Sequence, residues 1–188
     1  MDASVNGRLL TAADVAVLPT QLPSGPIDYE LIDGNLILLP VATAKHGAAQ
    51  AHVMGAIYQQ ADQKGLGTTL LSVGLLLKRN PDTLYGPDVS FLKARSEPRR
   101  LTPDDFLESV PELVIEVQSK SDSPAYIERR TADYLNAGVE VVWIIDPEQK
   151  TASVHRANQP VVELGTNDIL TAEGIIADFS LPLARLFE

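Results

Sequence analysis

Apolar residues along this chain recur in two rhythms, and each rhythm predicts a different kind of element. Between Ala44 and Lys64 the residues favour a helix, and His46, Gln50, Val53 and Ile57 fall at spacings of four, three and four, which puts them on one face. Gly65 and Gly67 end that segment. A second helix is predicted from Ser123-Pro124 to Asn136, with proline at its start and Gly138 just past its end, where each is favoured. Short apolar runs predict strands. Tyr29 to Ile32 and Leu36 to Leu39 flank the turn Asp33-Gly34-Asn35 as a hairpin. Thr68 to Leu77, Pro87 to Leu92, Glu112 to Gln118, Val139 to Asp146, Thr151 to His155 and a stretch near Val161 to Leu164 follow as further strands. Arg79-Asn80-Pro81-Asp82 is a polar turn, and Pro182 to Phe187 makes a final helical turn. Thr11-Ala12-Ala13-Asp14 is a capping-box variant that opens a short helix stopped by Pro19, within an N-terminal arm over residues 1–27. The element order predicts an α/β (α+β) chain with a mixed β-sheet covered by two helices.

Length and composition narrow the class. The 188 residues are 45% hydrophobic, enough for the core of one domain, and no repeat or low-complexity linker divides them, so a single domain over 1–188 is expected. There is no cysteine, which excludes disulfides and thiolate metal sites; any metal must sit on oxygen or imidazole ligands. The N-terminus lacks a basic segment followed by an apolar run, and no apolar stretch is long enough to span a membrane, so a cytoplasmic protein with no membrane association is expected. The net charge of −10 opposes non-specific polyanion binding, which draws on many Lys and Arg contacts to phosphate. Local charge softens that objection. Lys93, Arg95, Arg99 and Arg100 against Glu97 form one basic patch or a solvated loop, and Arg129 with Arg130 forms a second.

Two acids stand out for chemistry. Asp88 follows a proline at the start of a strand, and Glu116 interrupts an apolar strand where a buried carboxylate costs several kcal/mol unless it is paired or holds a cation. Two carboxylates on neighbouring strands suit a hard cation such as Mg²⁺, which prefers oxygen ligands and keeps several waters. A turn-capping role for Asp88 and an ion pair for Glu116 are the alternatives. If Glu116 is held for a cation, Glu116→Gln is expected to keep or raise the melting temperature of the metal-free protein. Strand alternation aligns Glu116, Gln118 and, if the strand persists, Lys120; a solvated lysine past the strand end competes with that reading. His46 is a metal ligand, a general base, or a hydrogen-bonded histidine at the end of the helix stripe. Ser119 has no Gly-x-Ser-x-Gly elbow around it, and Gly65-Leu66-Gly67 lacks the residues of a phosphate loop.

The series Tyr29-Glu30-Leu31-Ile32-Asp33-Gly34, Thr43 to His46, Pro87-Asp88-Val89, Pro111-Glu112-Leu113-Val114-Ile115-Glu116-Val117-Gln118-Ser119, and Tyr134 through Gly138-Val139 to Trp143-Ile144-Ile145-Asp146-Pro147 resembles the Uma-two family of the PD-(D/E)XK, restriction-endonuclease-like superfamily. The likeness spans residues 28 to 187 in order. It implies a central mixed sheet and Mg²⁺-dependent (or Mn²⁺-dependent) endonuclease hydrolysis of nucleic-acid phosphodiesters. Asp88 and Glu116 are then metal ligands, the Val117 carbonyl a further ligand, and Glu30 and His46 line the site. The chain also departs from the pattern. Gln118 stands where the superfamily carries lysine, and Arg130 stands where the Uma-two family commonly carries its own, four residues before the tyrosine. Arginine cannot act as a base, but it can steady charge on phosphate. Lys120, where the family often has proline, is the other candidate amine.

Two functions follow. One is an endonuclease acting on nucleic acid, DNA in the first instance, with Asp88 and Glu116 on the metal, Glu30 orienting water, and Lys120 or Arg130 at the phosphate. Superfamily analogy adds a homodimer, since cutting both strands of a duplex needs two sites. The other is a nuclease-fold protein that has lost turnover and acts as a binding or assembly module.

Overall fold

A computed structural model describes residues 8–23, 25–39, 41–94 and 100–188. The first strands in chain order are β1 (Gln21–Leu22), β2 (Gly25–Pro26), β3 (Asp28–Ile32), β4 (Asn35–Leu39), β5 (Gly67–Leu71), β6 (Leu75–Lys78) and β7 (Thr83–Tyr85). The rest are β8 (Val89–Lys93), β9 (Leu113–Val117), β10 (Val141–Asp146), β11 (Thr151–His155), β12 (Val162–Leu164), β13 (Ile169–Leu170) and β14 (Leu181–Pro182). The helices are α1 (Ala12–Ala16), α2 (Ala44–Gln60) and α3 (Pro124–Ala137), with 3₁₀ turns at Asp62–Lys64 and Leu183–Phe187. The described residues fall into two compact units, one drawn from 1–41, 73–86 and 98–110 and the other from 42–72, 87–97 and 111–188.

The first unit is built on an antiparallel sheet in the order β4-β3-β7-β6. Its hairpin is the predicted one: β3 and β4 pair from Asp28↔Leu39 to Ile32↔Asn35. Asp33 and Gly34 turn the chain at φ 49° and 75°, the left-handed pair that matches the twist of a two-residue hairpin. Thr11 caps α1 through the predicted box with Asp14. Leu10, Ala12, Leu31, Leu36, Leu76 and Leu84 form the core of this unit.

The second unit is built on a six-stranded mixed sheet in the order β12-β11-β10-β9-β8-β5. β9 and β10 run parallel, while the other neighbours are antiparallel. The parallel pair needs a crossover, and α3 supplies it. Ser123 accepts a hydrogen bond from Tyr126 N at the start of α3, and Gly138 closes it at φ 104°, as the sequence predicts. One face of the sheet presents Val89, Phe91, Leu113, Ile115, Val117, Val141, Trp143 and Ile145, which pack with Ala49, Val53 and Ile57 of α2. Burying these side chains is the main stabilising term of the unit, at about 1.5–3 kcal/mol for each large one.

The structure corrects two local expectations and adds a strand. The run Thr68 to Leu77 is not one strand: β5 and β6 belong to different sheets, and the chain turns at Ser72, φ 49°. Gly74 lies so close to the Phe106 ring that a Cβ there would clash. The turn at Arg79 to Asp82 leads into β7, a strand too short for an alternation signal. The second basic patch does not form, because Arg130 is buried and Arg129 faces Asp133 at 3.6 Å. Of the first patch, Lys93 reaches the Gly174 carbonyl at 2.9 Å; Arg95, Glu97 and Arg99 lie outside the described residues.

Candidate functional site

The site grows from the register of β8 on β9. Val89 pairs with Ile115, so Asp88, just before β8, and Glu116, just after Ile115 on β9, come to the same end of the strand pair. Glu116 alternates away from the α2 core, toward α3, which turns Arg130, Thr131 and Tyr134 inward.

Asp88 is held on several sides. Its Oδ2 accepts a hydrogen bond from Val117 N at 2.7 Å and lies 3.3 Å from His46 Nε2. Its main-chain oxygen accepts from Gln50 Nε2 at 3.0 Å. The predicted α2 stripe is therefore divided along its length: His46 and Gln50, one turn apart, address Asp88, while Val53 and Ile57 enter the core. A strand residue directs its N–H and C=O to the same edge, so the Val117 carbonyl lies on the Asp88 edge as well.

His46 follows the N-cap Thr43, whose hydroxyl accepts from His46 N. The hydrogen bond to Asp88 holds its imidazole above the ordinary 6.5, and the charges of Asp88, Asp122 and Glu116 add to this against the opposing effect of burial. Its Nδ1 is buried with no hydrogen-bond partner. Asp122 also accepts from Ser119 N at 2.8 Å, which ties down the loop after β9.

Glu116 meets a cation from the chain itself. Its Oε1 lies 2.5 Å from Arg130 Nη2, with both side chains nearly buried at 9% and 6% exposed. Tyr134 donates its hydroxyl to the same oxygen at 2.5 Å. Arg130 in turn donates from Nη1 to Tyr126 Oη at 3.0 Å and from Nη2 to Tyr134 Oη at 3.1 Å. Its guanidinium carbon lies 5.4 Å and 5.7 Å from the two ring centroids, within reach of cation–π attraction. The ion-pair alternative for Glu116 is therefore present in the structure. Tyr126 carries no signal of its own in the sequence; only its place one helical turn before Arg130 marks it.

The remaining candidates are placed differently. β9 stops at Val117, so the alternation that would align Lys120 with Glu116 does not continue. Lys120 is 70% exposed and lies 3.5 Å from Glu148, which also bonds Lys45 at 2.9 Å. Gln118 is half-buried and its N–H bonds the Ile145 carbonyl at 2.8 Å. It borders a cleft of about 480 Å³ together with Lys120, Asp122, Glu128, Asp146 and Glu148. Glu30 lies in the other unit, where it is fully buried and accepts from Gly86 N at 2.8 Å.

Among the described residues no three His, Asp or Glu side chains converge into a ready metal cluster. The donor set at Asp88 and Glu116 is two carboxylates with a main-chain carbonyl nearby. That chemistry fits a hard cation that keeps most of its waters.

No curated protein matches the chain. A crystal structure described as that of a putative nuclease belonging to DUF820, from Anabaena variabilis ATCC 29413, is similar at 20% identity with a TM-score of 0.74, over 90% of this chain and 93% of that one. The likeness establishes a restriction-endonuclease-like fold. Residues 18–184, most of the chain, match the family described as "Uma2: Putative restriction endonuclease", and the chain belongs to that family.

Proposed function

We propose that this protein is a nuclease that hydrolyses phosphodiester bonds of nucleic acid, DNA in the first instance, at the site formed by Asp88 and Glu116. The observation that carries the reading is Asp88, at the start of β8, bonded through Oδ2 to Val117 N next to Glu116 on β9, whose own carboxylate meets a buried guanidinium. Asp88, Glu116 and the Val117 carbonyl would hold Mg²⁺ or Mn²⁺. Such an ion, when bound, polarises a phosphoryl oxygen and lowers the pKa of water.

The chain supplies the rest. His46 and Gln50 fix Asp88 from the side chain and from the main chain. Arg130 provides positive charge for a phosphate and does not exchange protons near neutral pH, so it serves in electrostatic stabilisation and not as a base. A homodimer provides a site for each strand of a duplex. A second reading, a binding or assembly module without turnover, is favoured by the missing lysine: Gln118 stands after Glu116, and Arg130 is held on Glu116.

The test is a cleavage assay on single- and double-stranded DNA and RNA with Mg²⁺, with Mn²⁺ and with a chelator. Cleavage that needs the cation and disappears in Asp88→Asn supports the nuclease. Nucleic-acid binding with no cleavage under any condition favours the module.

A further inference from the structure

The cation that Glu116 carries is part of the protein, and this bears on how the site takes a second one. Oε1 of Glu116 accepts from Arg130 and from Tyr134, and Arg130 is anchored by the hydroxyls of Tyr126 and Tyr134. The pair is nearly dry, so it is screened far less than a surface pair. A guanidinium keeps its proton at any pH a protein survives, so it cannot step aside by becoming neutral.

We propose that Arg130 is a resident competitor for the divalent cation: its charge occupies Glu116 in the metal-free protein, and the Tyr126–Arg130–Tyr134 cage sets the affinity and specificity of the site for metal. This inference rests on the reading of Asp88 and Glu116 as cation ligands. Two opposed effects follow from one side chain. Arg130 lowers the cost of keeping Glu116 ionised without metal, and it repels the ion that the site would bind. A cation gains Glu116 only against an anchored unit charge, so binding is weak and favours ions that exchange their waters readily over Mg²⁺, which dehydrates reluctantly. Tyr126 and Tyr134 are positioning residues here, since they act on the metal through Arg130.

The test is calorimetric titration of the full chain with Mn²⁺ and with Mg²⁺. Removing the charge in Arg130→Gln is expected to tighten Mn²⁺ binding by on the order of tenfold or more. The gain should disappear when Asp88→Asn is added, which ties it to this site. Tyr126→Phe keeps the charge but removes one anchor, and it should give a smaller gain in the same direction. It serves as the deciding variant if Arg130→Gln does not fold. Affinity that is unchanged or weaker in the folded variants overturns the proposal. If Mn²⁺ binds to no variant at millimolar concentration, the proposal and the metal-site reading fall together. Divalent-dependent cleavage by the wild-type protein with unchanged affinity in the variants overturns this inference alone and leaves the nuclease standing.

Discussion

Replacing Glu116 by glutamine isolates the energetics of the buried pair, because the side chain keeps its size and an acceptor oxygen while losing its charge. Arg130 then stays in place, 6% exposed, with its formal charge uncompensated at the point of closest contact. Removing one partner of a buried pair costs about 3 to 5 kcal/mol. The amide oxygen can still accept from Tyr134 and Arg130, which places the expected loss near the lower end, about 3 kcal/mol. For a chain of this length each kcal/mol moves the midpoint by about 2 to 4 °C, so the melting temperature should fall by about 6 to 12 °C. The expectation drawn from an unpaired Glu116, that Glu116→Gln would keep or raise the midpoint, is thus reversed by the position of Arg130. The assay is a calorimetric or circular-dichroism melt in chelator-treated buffer. It should include Arg130→Gln and the double variant, so that the coupling between the two positions is read from a cycle. An unchanged or higher midpoint for Glu116→Gln, or independent effects of the two substitutions, refutes the argument.

His46 gives a pH prediction with a definite sign. Its folded value lies above 6.5 because of the hydrogen bond to Asp88, so its stabilising contribution is full below that ordinary value and is lost as pH rises through the raised one. Denaturant midpoints of the wild-type protein and His46→Gln should therefore converge as pH rises from below 6.5; a gap that widens with pH contradicts the geometry. Lys120→Ala should change stability by no more than about 0.5 kcal/mol, a midpoint shift of about 1 to 2 °C, and cleavage should persist, because Lys120 is exposed and faces Glu148. A hundredfold loss of rate in that variant would assign the phosphate charge to Lys120 and overturn the role proposed for Arg130.

Much of this protein is written locally. The capping box at Thr11 and Asp14, the Asp33-Gly34 turn, the proline and glycine that bracket α3, and the apolar run of β9 all act within a few residues, so the chain declares them before it folds. The acid interrupting β9 was equally legible, because a carboxylate in a buried strand demands a partner whatever the fold. Which partner it takes was not legible. Arg129 and Arg130 look alike as a basic pair; Arg129 meets Asp133 one turn along the same helix, and only the packing of α3 sets Arg130 on Glu116. The pairing of β8 with β9 brings Asp88 to the Val117 N–H beside Glu116 across a long stretch of chain, and α2 brings His46 and Gln50 to the same aspartate. The end of β9 at Val117 removes Lys120 from that face. These outcomes depend on contacts between elements remote in sequence, and periodicity or capping carries no information about such contacts. Sequence determines which side chains need a partner, and tertiary packing decides which one they get.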